Sequence, residues 1–193
     1  MIVIKTMKNQ IEVDKELFTA LSECRSIDET RFFMTQAYYD KAKNRISATD
    51  GRRVFVYNFT EENELTEGFY IPVKQGKNFY LFHKEDMEGQ YPNIDRVIPE
   101  YELKTDYEFC FCSNLSNNSR PAYLLTMITG PVNLSFLKPV YGIAVYCSYC
   151  LDFRKAFILS DKSKNWQYVI MPMEGMDREP EIESIHRSKF IAD

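Results

Sequence analysis

A change of hydrophobic period constrains this chain more than any other feature, and it occurs twice in the same order. From Val13, apolar residues fall at Val13, Leu17, Ala20, Leu21 and Cys24, the spacing of one helix face, with Asp14 placed to cap it. "RFFMTQAYYD" and "SATDGRRVFVYN" follow as β-prone runs, divided by the polar "KAKN" turn and by Asp50-Gly51. Glycine supplies the positive φ that a tight hairpin needs, so Asp50-Gly51 reads as a hairpin tip. The order then returns. "DYEFCFCS" alternates, and "SNNSRPAYLLTMI" is a capped helical run with Pro121 near its first turn. "VNLSFLK", "GIAVYCSYCLDF", "RKAFILS" and "WQYVIMPM" read as strands. This repetition is that of an α+β domain made of two β-α-β-β-β halves, with two helices, near residues 14–25 and 119–129, packed side by side on antiparallel sheets.

The halves fall at about residues 1–60 and 101–173, and "MIVIKT" adds a strand at the front. Between them, residues 61–100 are punctuated by Pro72, Pro92, Pro99 and three glycines, and read as a connecting segment whose short strands build no deep core alone. With 193 residues and 45% hydrophobic content, a single domain over 1–173 has enough apolar side chains for a sizeable core. Residues 174–193 form a charged C-terminal tail in which Ile182, Ile185, Phe190 and Ile191 are too sparse for a helix.

Several function classes find no support. A net charge of -4 gives no global basic field. There is no glycine-rich phosphate loop, nucleophile elbow or H-E-x-x-H, and His83 and His186 stand far apart. The reading is therefore of a non-enzyme with no catalytic residues and no cofactor. No apolar run reaches membrane-spanning length and "MIVIKTMKNQ" lacks a signal-peptide core, which with an odd set of five cysteines points to reduced thiols and a cytoplasmic location. Cys147 and Cys150 form a C-x-x-C that Cys110 and Cys112 could complete as zinc ligands. Their strand-like, aromatic surroundings lack a glycine-rich knuckle and favour small buried hydrophobes, so no metal is expected.

Three segments, in order, resemble one family. "DETRFFMTQAYYDKAKNRISATDGRRV" is similar to the start of the middle domain of bacterial DNA polymerase III β subunits, the sliding clamps, with their D-x-x-R motif, strand and A-T-D-G-x-R-L hairpin. "EGQYPNIDRVIP" resembles that domain's closing G-x-F-P-x-x-x-x-V-I-P, and "YLLTMI" followed by "QYVIMPM" resembles the end of the last clamp domain. The resemblance implies a DNA-clamp-like domain and a DNA-associated processivity or tethering function. It also implies a hydrophobic pocket that captures short peptides of polymerases and other replication or repair proteins. Residue by residue, Arg31, Thr49, Arg53, Val54, Pro99, Val169, Ile170, Met171, Pro172 and Met173 match pocket positions. Phe32 and Phe33 match a loop that can touch DNA, and Arg25 and Arg120, one from each helical run, are the other DNA-contact candidates.

The chemistry is consistent with that reading, because methionines adapt to varied apolar peptides and a rim arginine can hold a polar or acidic group. Spacing alone would make "YVIMPM" a strand packed in the core and Arg52-Arg53 plain hairpin decoration. Against encirclement of DNA, Lys15 and Arg25 on the first helix are offset by Asp14, Glu16 and Glu23, and the second helix offers only Arg120. The expected association with duplex DNA is therefore weak and without sequence preference. Two architectures remain open: a homo-oligomeric ring, and a non-ring adaptor that binds proteins and not DNA.

Overall fold

The computed structural model describes residues 3–7, 10–61, 63–87, 89–99, 104–110, 125, 129, 132–149 and 155–172. Their strands are β1 (Val3–Met7), β2 (Gln10–Val13), β3 (Ala37–Asp40), β4 (Arg45–Thr49), β5 (Arg53–Asn58), β6 (Gly68–Gln75), β7 (Asn78–His83), β8 (Lys104–Cys110), β9 (Ala144–Tyr149), β10 (Phe157–Ser160) and β11 (Trp166–Ile170). All eleven join one antiparallel sheet in the order β1-β2-β7-β6-β3-β4-β5-β11-β10-β9-β8. The architecture is α+β. The two halves meet at β5 and β11, where Val54 pairs with Val169 and Arg53 with Ile170.

Helix α1 (Lys15–Cys24) forms where its period predicts, and buries Leu17, Ala20, Leu21 and Cys24. Asp14 caps it by accepting from Leu17 N at 2.7 Å. Of the second helical run, Leu125 and Thr129 are helical and buried, and Leu125 shares the core of Leu17 and Leu21. The rest of that helix, the charged tail, Arg120 and Met173 lie outside the described residues.

Three segments differ from their sequence reading. "RFFMT" is not strand: Glu29–Thr35 forms 3-10 turns, started by Asp28, whose carboxylate accepts from Thr30 N at 3.0 Å. "VNLSFLK" likewise belongs to a 3-10 stretch, Leu134–Val140, capped by Asn133 through Ser135 N at 3.0 Å. In both, an Asp or Asn side chain offers the backbone a local partner that competes with a ladder. The segment 61–100, read as a connection, contributes the β6–β7 hairpin, seated in the sheet between β2 and β3. Pro72 is tolerated there because β3 pairs only with Gly68, Phe69 and Tyr70, leaving the Pro72 stretch with β7 as its one neighbour.

The sheet carries a core on each face. Alternation sends Phe55, Tyr57, Trp166, Tyr168 and Ile170 towards α1, where they join Leu17, Leu21, Cys147 and Leu159. Val54, Val56, Ile158 and Val169 point the other way, into a smaller core with Phe69, Met87, Tyr91 and Ile94.

Candidate functional site

The hairpin that joins β4 to β5 is held by its own side chains. Gly51 adopts φ +87°, and Asp50 Oδ1 accepts from Arg52 N at 2.9 Å and from Arg53 N at 3.2 Å. The Thr49 hydroxyl donates to Arg53 O at 2.8 Å and accepts from Gly51 N at 3.1 Å. Arg31 reaches across from the 3-10 segment and donates to Asp50 O at 2.9 Å. One residue past β11, Met171 N donates to Arg52 O at 3.1 Å, which carries the pairing to the hairpin tip.

The adjacent arginines point to different tasks. Arg53 Nε donates to Asp50 Oδ2 at 2.9 Å, Nη1 to the Tyr168 hydroxyl at 3.3 Å and Nη2 to Glu23 O in the last turn of α1. Its guanidinium also lies 4.4 Å from the Phe136 ring centroid. A cation at that carbonyl complements the negative end of the helix, whose last turn has no basic residue of its own. Burial pushes the Tyr168 phenol well above its ordinary pKa, so it stays a neutral donor to Phe136 O at 2.6 Å. Arg52, by contrast, is exposed.

Beside the hairpin, on the face away from α1, lies an apolar groove of ≈ 220 Å³. The hairpin supplies Thr49, Arg52 and Val54, and the end of the last strand supplies Val169 and Met171. The opposite wall is Pro92, Ile94 and Val97, with Met34 at the hairpin end. Met171 and Val97 are 43% and 45% exposed, which is large apolar surface left open to solvent. The wall is pinned by charge. In the 3-10 turn Ile94–Arg96, Asp95 accepts from Arg45 at 2.7 Å and from Lys43. Those two hydrogen bonds hold its carboxyl down at about 2. Arg45 reaches Asp40 as well, at 3.6 Å.

Of the residues expected in a pocket, Thr49, Arg53, Val54, Val169 and Met171 come together along this groove, although the Arg53 guanidinium is turned away. Ile170 faces α1 instead and is fully buried, because alternate strand residues take opposite faces. Arg31 braces the hairpin from outside, Pro172 is half-buried, and Pro99 is half-buried two residues beyond the wall residue Val97. Met34, Pro92, Asn93, Ile94 and Val97 were not picked out individually, although "EGQYPNIDRVIP" contains four of them. The N-x-D spacing of Asn93 and Asp95 was the available signal for the turn, since Asn93 Oδ1 accepts from Asp95 N at 3.1 Å.

Of the expected DNA-contact residues, two are engaged within the fold. Arg25 donates to Thr35 O at 3.0 Å. Phe33 stacks on Phe69 with centroids 5.7 Å apart, and packs so tightly on Gly89 that a Cβ there would lie 2.0 Å from its ring. Phe32 is half exposed. Cys147 is buried between β8 and β10, and desolvation raises its thiol pKa. Burial likewise pushes Cys24 up to about 12. The side chains of Cys110, Cys112 and Cys150 lie outside the described residues. No described helix is long and apolar enough to cross a membrane.

No protein-family model and no curated protein matches this sequence. Solved structures do match its fold. The DNA polymerase III β chain of Streptococcus pneumoniae superposes with a TM-score of 0.54 at 16% identity, over 91% of this chain and 67% of that one. The fold is that of a sliding clamp. The sliding clamp of Bacillus subtilis gives 0.54 at 12% identity, over 91% and 66%. The Bartonella birtlesii clamp, solved bound to griselimycin, gives 0.52 at 13% identity, over 91% and 69%. The chain thus spans about two thirds of the length of the clamps it matches.

Proposed function

We propose that this protein is a clamp-fold tethering protein that captures short apolar peptides of replication or repair proteins in the groove that the hairpin and the end of β11 form with Pro92, Ile94 and Val97. One observation carries the reading: the hydrogen-bonded neighbours β5 and β11 and the facing wall of Pro92, Ile94 and Val97 all belong to a single chain. The groove therefore needs no second copy, which favours an adaptor that works as a monomer. Burying one or two large peptide side chains contributes about 1.5–3 kcal/mol each before the cost of ordering, so micromolar affinity is expected. Fluorescence anisotropy with a glutamine-leading, leucine-phenylalanine-ending peptide tests this. Saturable binding, weakened by Met171→Ala, supports it, and no saturable binding rejects it.

A ring is the second reading, and the sheet's outer strands favour it: among the described residues, β1 and β8 each pair on one side only. A head-to-tail contact between such edges would propagate into a ring or a filament. Duplex DNA would be held weakly, since Arg25 and Phe33 are committed within the fold. Mass measurement in solution with and without duplex at low salt separates the readings. A DNA-dependent assembly supports the ring, and a monomer that leaves the duplex free supports the adaptor.

A further inference from the structure

The groove reading leaves open what, besides apolar surface, its occupant must carry. We infer that Arg52, and not its neighbour Arg53, selects a peptide bearing a carboxylate beside its apolar anchors. The inference rests on the proposed peptide groove and adds to it the residue that sets charge preference.

The argument is a matching of charges around the hairpin. Asp50 is consumed: one oxygen accepts from two backbone N–H groups and the other from Arg53 Nε. Arg53 is consumed in turn by Asp50, the Tyr168 hydroxyl, Glu23 O and the Phe136 ring, with its side chain only 11% exposed. Asp28 pairs with Arg31, whose remaining hydrogen bond goes to Asp50 O. Across the groove, Asp95 is matched by Arg45 and Lys43. The groove lining itself contains no Asp or Glu. Of the two described cations that line the groove, Arg52 is the one left without an acidic partner, and it stands exposed on the groove's rim. Its backbone is held at both ends, by Asp50 Oδ1 at its N–H and by Met171 N at its carbonyl, so the side chain leaves from a fixed point. A guanidinium so placed, beside apolar surface, fits a planar carboxylate in two-point geometry. In a chain of net charge -4, it also gives the groove a local sign opposite to that of the whole.

The test uses the full chain and two labelled peptides. Both lead with glutamine and end with leucine-phenylalanine, and they carry aspartate in one and asparagine in the other at the position between. The expected result is a preference of about 2–5-fold for the aspartate peptide at low salt, the range of a solvent-exposed ion pair, shrinking as salt is raised. Arg52→Gln should abolish the preference while both peptides still bind. Arg53→Gln should keep the preference while lowering the melting temperature, because it strips partners from Asp50 and from the end of α1. Equal binding of the two peptides, or a preference that survives Arg52→Gln, overturns the assignment and leaves the groove standing. Failure of both peptides to bind the unaltered protein overturns the groove and the assignment with it.

Discussion

The two faces of the sheet at β5 and β11 are built from alternate residues of the same few positions, yet they have become different kinds of surface. On the α1 side, Phe55, Trp166, Tyr168 and Ile170 are buried in the core they share with the helix, and a charged side chain, Arg53, is admitted only because three hydrogen-bond acceptors and an aromatic ring meet it. On the other side, Val54 and Val169 are covered by a loop segment rather than a helix, and the cover stops short at Val97 and Met171. The contrast teaches where the free energy goes. Burial on the first face holds the domain together, whereas incomplete burial on the second leaves apolar area that a partner can still remove from water.

The sharpest way to break that comparison is to truncate one residue from each face. Leu21→Ala empties a fully buried site under α1 and should cost about 2–5 kcal/mol in urea denaturation. Met171→Ala on the groove side should stay within about 0.5 kcal/mol, because its side chain is already half in solvent, while weakening peptide capture. Equal stability losses would mean that the groove face is structural core after all.

A smaller effect is expected where the loop cover is anchored. Gly89 has φ +152° and no room for a Cβ against Phe33, so Gly89→Ala should unseat that ring at a cost of about 1–3 kcal/mol. A denaturation midpoint equal to that of the unaltered protein would show that the cover does not depend on Phe33.

The smallest effect concerns pH. The Asp95 carboxyl ionises at about 2 in the fold against an ordinary 3.8, held down by Arg45 and Lys43. A depressed carboxyl contributes stability that is present above its unfolded value and is lost as pH falls through the folded one. The loss should therefore fall between 3.8 and about 2, and be modest because the group is 41% exposed. Urea midpoints followed down through this window should slope less in Asp95→Asn. An unchanged slope would remove Asp95 as the anchor of the groove wall.

Much of the architecture could be read from local pattern. The α1 face, its Asp14 cap and the Asp50-Gly51 tip all rest on interactions within a few residues, so their signals survive in the sequence. The β6–β7 hairpin was harder to place, because its strands gain their value only from β2 and β3, which lie distant along the chain. The 3-10 turns at Glu29–Thr35 and Leu134–Val140 hid behind β-prone letters, since a single capping Asp or Asn outweighed the run that followed. In the site, the resemblance pointed to the hairpin and the "YVIMPM" segment, but not to the separate roles of the two arginines.

What the sequence by itself determined is the set of local decisions: where the helix begins, where the chain turns, and which strand residues alternate. Which face each alternation would present was decided only by the tertiary structure. Period 2 states that Arg53 and Ile170 differ in side from Val54 and Val169, without saying which side α1 will cover. Once α1 had packed on one side, Arg53 met Glu23 O and Tyr168 and was held at the margin of the core. Arg52, at the tip, had no such partner in reach and was left to the groove.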